Sequence, residues 1–240
     1  MNGSDRLESA LARLIEQLGE SQVPVDFAVL YGSAARGDWD PARSDVNLLL
    51  VMSDPSPASL KRLSAALTSW HDAGFTPPLL LGRSEWMRAT DVFPIEITDM
   101  RLCHRTLLGA DPLEGLKVPA GDLRRALESE LRGKLMRLRQ AFVRFHAAPQ
   151  VLGGFARSSC SELLALLRTT AVLLDRDPGP SADAGIAALA DELGDAAAAV
   201  REVAVGRSNP DWSCPDQVFA RYLDAVQRAA DLVDRTPTGA

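Results

Sequence analysis

The stretch Leu30 to Val51, LYGSAARGDWDPARSDVNLLLV, holds the residue types whose spacing could do chemistry. Gly32-Ser33 closes a short apolar run, eleven residues follow, and Asp45 and Asn47 then lead into a second apolar run. A glycine lets the backbone approach a ligand closely, and Ser33 offers a hydroxyl and an N–H to a phosphate. A helix beginning at Ala34 would turn its positive end the same way. Asp45 and Asn47, two apart on an expected strand, project from one face about 6.6 Å apart along the chain. Groups so placed can converge on one metal ion, or on two held roughly 3.5–4 Å apart. Glu96, in FPIEITDM, is expected on a third strand, facing away from Ile95 and Ile97.

Each residue has a plain structural reading beside the chemical one. Gly32-Ser33 also suits a strand-to-helix turn with a serine cap. Asp45 also reads as a charge at a strand edge. Asn47 reads equally as a weakened ligand or as an amide that pins strand register. Glu96 alternates with isoleucines and so also reads as an exposed strand residue, and Asp99 is placed to cap a following helix. Arg36 and Arg43 flank the expected phosphate pocket and also read as solvated surface bases. Trp39, in the loop, is a candidate for stacking on a base or an ordinary loop aromatic, whereas Trp70, Trp86 and Trp212 read as packing residues. His71, His104 and His146 share no metal spacing.

Positioning these groups requires a sheet. Strands are expected at 24–31, 44–52 and 93–100, with an edge strand at 76–81 whose prolines cannot both donate to a ladder. Helices are expected from Ser4 to Gly19, over 57–73 and briefly over 83–88, with a loop-rich stretch to about residue 117. Beyond it the pattern becomes purely helical. Leu123, Leu127, Leu131, Leu135, Leu138, Phe142 and Phe145 keep helical spacing, and amphipathic segments follow near 155–175, 182–205 and 215–234. The expected architecture is α/β (α+β): a mixed sheet flanked by helices over 1–117, an all-α bundle over 118–236, and a frayed tail at 237–240.

The motif residues together resemble the nucleotidyltransferase superfamily of the DNA polymerase β type, in its small bacterial branch of kanamycin-type and minimal nucleotidyltransferases. The resemblance covers about residues 25–115. Gly32, Ser33 and Asp45 match the family's Gly-Ser … Asp-x-Asp pattern; Ser44 and the Ala35-Arg36-Gly37 run match the small branch. Glu96 stands for the third carboxylate and HRTLLGADPL for the closing segment. The resemblance implies a metal-dependent transfer of a nucleoside monophosphate from an NTP to a hydroxyl of a small molecule or protein. It implies Asp45 and Glu96 as catalytic residues, and Asp45, Asn47 and Glu96 around Mg²⁺ or Mn²⁺ bound with the nucleotide. It implies Gly32, Ser33, Arg36 and Arg43 at the phosphates, joined by Lys134 from the helical half; Lys134 also reads as a snorkelling base. Asn47 departs from the pattern, since the family has a second aspartate there. Mg²⁺ favours anionic oxygens, and an amide removes one negative charge, so the alternative is a weak or inactive pseudoenzyme, a nucleotide-binding, regulatory or antitoxin-like module with a protein partner on its helical half.

Composition narrows the field. The chain has 240 residues, 26 Lys and Arg against 32 Asp and Glu, and a net charge of −6. All but three of the bases are arginine, dispersed in an Ala- and Leu-rich background that fits a GC-rich genome. An acidic chain of this kind lacks the footprint of a general nucleic-acid binder. No apolar run reaches the roughly 18–20 residues that span a bilayer, and the first residues do not form a signal peptide. Three scattered cysteines without a CxxC pair suit reduced thiols, so a cytoplasmic location is expected.

Overall fold

The computed structural model describes residues 3–41 and 44–237, divided between two compact units. The first comprises Met1–Phe93 and Met100–Lys117, and the second Pro94–Asp99 and Val118–Ala240. Of the tail expected at 237–240, residues 238–240 lie outside the described residues.

In the first unit the order is α1 (Gly3–Glu20), β1 (Val25–Tyr31), α2 (Ser33–Arg36), β2 (Asn47–Met52), α3 (Pro57–Asp72), β3 (Leu79–Gly82) and α4 (Arg83–Trp86). Then follow α5 (Pro94–Leu102), whose first six residues belong to the second unit, and β4 (His104–Leu108). The strands form one mixed sheet in the order β3-β2-β1-β4. Strand β1 runs antiparallel to β2 and β4, whereas β3 lies parallel to β2. Alternation gives the sheet two faces. Ala28, Leu30, Leu48, Leu50 and Met52 join a buried cluster with Leu7, Leu11, Leu14 and Leu18 of α1 and with Leu63, Ala66 and Trp70 of α3. Val29, Leu49 and Val51, on the opposite face, are also fully buried. This explains why LLLVM is apolar without alternation, as a strand covered on both faces must be.

Helix α3 begins where Ser56 accepts from the Ser59 N–H and proline occupies the first turn, which satisfies orphan donors at the start of the helix. At the far end of the sheet, Arg83 pairs with Asp26 at 2.7 Å and Ser53 donates to the same carboxylate at 2.8 Å. These partners hold the Asp26 carboxyl below its ordinary pKa, the Arg83 hydrogen bond foremost.

Two expectations change here. The segment 93–100 is not a strand: Pro94 occupies a first helical turn, where its missing N–H costs nothing, and Pro94, Ile97 and Thr98 are buried at helical spacing. The sheet's fourth strand is instead β4, inside the stretch read as loop-rich. Asp99 is accordingly within α5, not a cap ahead of a later helix.

The second unit holds α6 (Ala120–Phe145), α7 (Pro149–Leu173), α8 (Ala184–Ala188), α9 (Ala190–Leu193), α10 (Ala196–Gly206) and α11 (Asp216–Arg235). The leucine row of α6 meets Leu163, Leu164 and Leu167 of α7 and Phe219, Tyr222 and Val226 of α11 in one core. The amphipathic segment expected near 182–205 consists of three helices, with Gly194 at φ 54° between α9 and α10. Among the described residues no helix is long and apolar enough to cross a membrane.

One charge pair is buried in this unit. The Arg168 side chain is 3% exposed and Asp99 14%. Arg168 donates to Asp99 Oδ1 through Nε at 3.0 Å and Nη2 at 2.5 Å, and to the Ala182 carbonyl at 2.9 Å. Removing one partner strands the other charge away from water. Arg168→Met is therefore expected to cost about 3 kcal/mol in urea denaturation, with much of that recovered when Asp99→Leu is added.

Candidate functional site

The register of the sheet brings the motif together. Tyr31 on β1 lies opposite Asn47 on β2, and on its other side opposite His104 on β4. The residues that follow Tyr31, Gly32 and Ser33, therefore emerge beside the start of β2. Gly32 has φ 71° and ψ −149°, a conformation essentially confined to glycine. A Cβ there would also stand 2.7 Å from Asn47 Nδ2. Glycine is thus required by the backbone conformation, and a larger residue would also have to displace the end of the Asn47 side chain.

Helix α2 is a single turn, so it offers local donors and little accumulated dipole. The Arg36 N–H closes the turn on the Gly32 carbonyl at 3.1 Å. A helix leaves its first N–H groups without intrahelical acceptors, and here those belong to the start of Ser33–Arg36. The Ser33 hydroxyl, half-buried, makes no hydrogen bond among the described residues.

Asp45 and Asn47 are exposed, and neither forms a hydrogen bond or ion pair among the described residues. Parity puts Asn47 on the face of Leu49 and Val51, opposite the α1–α3 cluster. Asp45 sits two residues ahead of β2, not on it. The Arg36 side chain is 13% exposed, with Nε 3.3 Å from Asp38 Oδ1. Arg43 lies outside the described residues.

Two expected members belong to the helical unit. Glu96 is on α5, in the part that belongs to the helical unit. The residue is exposed at its surface, yet packing around the carboxyl strips water and pushes its pKa above the ordinary 4.5. The charges of Glu130 and Asp99 push the same way, against a backbone hydrogen bond that lowers it. No carboxylate takes the place on the sheet intended for Glu96, because β3, which pairs with β2, reads only LLLG. Lys134 is 2% exposed within the helical unit, donating to Glu162 Oε2 at 2.6 Å and to the Ser159 carbonyl at 3.2 Å. It is neither snorkelling nor open to a ligand in this arrangement.

His104, one of the three histidines without metal spacing, is carried by β4 to this end of the sheet. Its ring is committed: Nδ1 donates to the Met100 carbonyl at 2.9 Å, and Nε2 lies 3.2 Å from Asp111. Trp39 is half-buried against the cluster beneath the sheet, its ring 6.1 Å from Phe75, so it packs instead of stacking on a base.

Among the described residues no three His, Cys, Asp or Glu side chains are grouped to hold a metal ion. The donor set fits a more modest arrangement: the Asp45 carboxylate and the Asn47 amide oxygen. Mg²⁺ is commonly held by one or two carboxylates together with substrate phosphates. One carboxylate and one amide suit a cation that arrives with a triphosphate.

Residues 11–76 match the family model described as Nucleotidyltransferase domain. That span contains Gly32, Ser33, Asp45 and Asn47 and stops before β3. The chain is also similar to the crystal structure of spectinomycin adenyltransferase AAD(9) from Enterococcus faecialis, solved with ATP and spectinomycin. Identity is 12% and the TM-score 0.57, over 98% of this chain and 100% of that one. No curated protein matches the sequence. The family model supports a nucleotidyltransferase domain over residues 11–76, and the structural likeness shows the fold, a mixed sheet followed by a helical region.

Two outcomes test this geometry. Gly32→Ala is expected to cost about 1–3 kcal/mol in thermal or urea unfolding, and adding Asn47→Ala is expected to relieve the crowding while leaving the backbone cost. For Glu96, a raised folded-state pKa means the folded chain holds the proton longer than the unfolded one. Stability therefore falls as pH rises from the ordinary 4.5 through the raised value. Glu96→Gln should flatten that part of a melting-temperature profile against pH.

Proposed function

We propose that the chain binds a nucleoside triphosphate at the Gly32–Ser33 turn and transfers its nucleoside monophosphate to a hydroxyl of a small molecule. The observation that carries this reading is the juxtaposition of the Gly32 turn with Asn47 and the uncommitted Asp45. In this reading the N–H groups opening α2 and the Ser33 hydroxyl donate to phosphate oxygens, and Arg36 lends positive charge beside them. Asp45 and the Asn47 amide oxygen hold the cation that accompanies the triphosphate. When bound, Mg²⁺ or Mn²⁺ supplies neutralisation of phosphate charge. The acceptor oxygen forms its bond to the α-phosphorus as the bond to the pyrophosphate oxygen breaks, pyrophosphate leaves with the electron pair, and the hydroxyl proton passes to solvent water.

The similarity to an adenyltransferase solved with ATP and spectinomycin favours ATP and a small hydroxylated acceptor as the first probes. Glu96 and Lys134 are left out of the proposed site. The first sits on a helix of the other unit, and the second already spends its ammonium on Glu162 and Ser159.

A second reading has its own support. With Asn47 at the second aspartate position and only leucines and glycine on β3, Asp45 is the one carboxylate left at the motif positions among the described residues of the sheet unit. A site so depleted binds nucleotide without turning it over, which suits a pseudoenzyme.

The deciding experiment uses α-labelled NTPs, Mg²⁺ or Mn²⁺, and pools of small hydroxylated acceptors. Transfer by the wild type that disappears in Asp45→Asn supports the enzyme, whereas nucleotide binding without transfer, even in Asn47→Asp, supports the pseudoenzyme. Absence of both binding and transfer overturns the proposal. Asn47→Asp is expected to raise cation-dependent ATP affinity by on the order of tenfold, measured by calorimetry.

A further inference from the structure

The residues around Asp45 lie just outside the sheet's own hydrogen bonding. The β1–β2 register ends at Tyr31 and Asn47, and the β2–β3 register begins at Leu49 and Leu79. The carbonyls of Ser44 and Val46 flank Asp45, ahead of the first residue of β2. Each is met by a side chain. Trp39 Nε1 donates to the Ser44 carbonyl at 2.7 Å, and Thr76 Oγ1 donates to the Val46 carbonyl at 2.9 Å. The first bond fixes the peptide plane that enters Asp45, and the second the plane that leaves Val46. With both planes held, the backbone on either side of Asp45 is anchored although the residue itself is exposed and belongs to no strand.

The two donors are parts of one packed assembly. The Trp39 ring leans on Phe75 at 6.1 Å, Phe75 stacks on Trp70 at 4.4 Å, and Trp70 Nε1 donates to the Thr76 carbonyl at 2.7 Å. Trp70 is buried in the α1–α3 cluster and Val46 is buried beside it. The loop holding Asp45 is thereby tied at both ends to the hydrophobic core beneath the sheet. Packing alone would be met by any aromatic at position 39 and any apolar residue at position 76. The indole N–H and the hydroxyl add two directed bonds whose acceptors are the carbonyls one residue before and one residue after Asp45.

We propose that Trp39 and Thr76 are positioning residues for Asp45. The proposal rests on the reading of Asp45 as a cation-holding residue, and it makes a separate claim, that Asp45 is ordered by these two donors.

The test uses full-length protein and three conservative variants. Trp39→Phe keeps a ring and removes the N–H, Thr76→Val keeps the shape and removes the hydroxyl, and Thr76→Ser restores a hydroxyl. Amide ¹⁵N relaxation reads the order of Asp45 and Val46. The wild type is expected near an order parameter of about 0.85, falling towards about 0.6 in the first two variants and recovering in Thr76→Ser. Calorimetry with ATP, in Mn²⁺ and in EDTA, reads the second quantity. The cation-dependent gain in affinity is expected to fall about fivefold in each of the first two variants, with no further loss when either is combined with Asp45→Asn. A lower melting temperature with unchanged order at Asp45 overturns the proposal, as does an affinity loss that adds fully to that of Asp45→Asn. If the wild type binds no ATP under either condition, the nucleotide reading fails, and the relaxation data alone decide whether the two donors order Asp45.

Discussion

The site depends on one constraint, the antiparallel register that sets Tyr31 opposite Asn47. Because side chains alternate along a strand, a slip of one residue would turn Asn47 towards the α1–α3 cluster and Leu48 away from it. Beyond Asn47 both faces of β2 are apolar and buried, so the slip is opposed by the Asn47 amide, which would enter the cluster in place of Leu48. The apolar cluster on one face therefore keeps this polar group on the other. Once register is fixed, Gly32 leaves β1 within reach of the Asn47 side chain, in a backbone conformation that favours glycine.

The helical unit obeys a different constraint, the accommodation of charge in a leucine-rich core. Arg168 and Lys134 are both buried, and each is satisfied by a carboxylate together with a backbone carbonyl. Burial also pushes the Cys160 thiol up to about 11 and the Cys214 thiol to about 12, so both remain protonated near neutral pH. This chemistry is structural. It also accounts for Lys134, whose position on the apolar stripe of α6 is consistent with a ligand contact until its partners are known.

Much of the sheet was legible because its signals were local. Gly32 after an apolar run, the unbroken LLLVM, and prolines ahead of an edge strand each carry their reason in the chain itself. The segment around Glu96 misled because Ile95 and Ile97 mimic strand alternation. The contrary signal was Pro94, with Ile97 and Thr98 at helical spacing. Strand β4 was hidden for the opposite reason: HRTLL is short, polar at its start and only partly buried, so its identity comes from pairing with β1. In the site, Gly32, Ser33 and Asn47 were readable as a spaced set. The bonds from Trp39 and Thr76 were not, since they join residues whose proximity only the folded loop creates.

The account stands most directly on amide chemical-shift mapping of the whole chain titrated with ATP and Mg²⁺. It predicts saturable shifts centred on Gly32, Ser33, Ala34 and Asp45, with the shifts at Asp45 lost in EDTA. Shifts confined to the open groove between α1 and α3, lined by Arg13, Gln17, Ser64 and Thr68, or no shifts at any concentration, would contradict it.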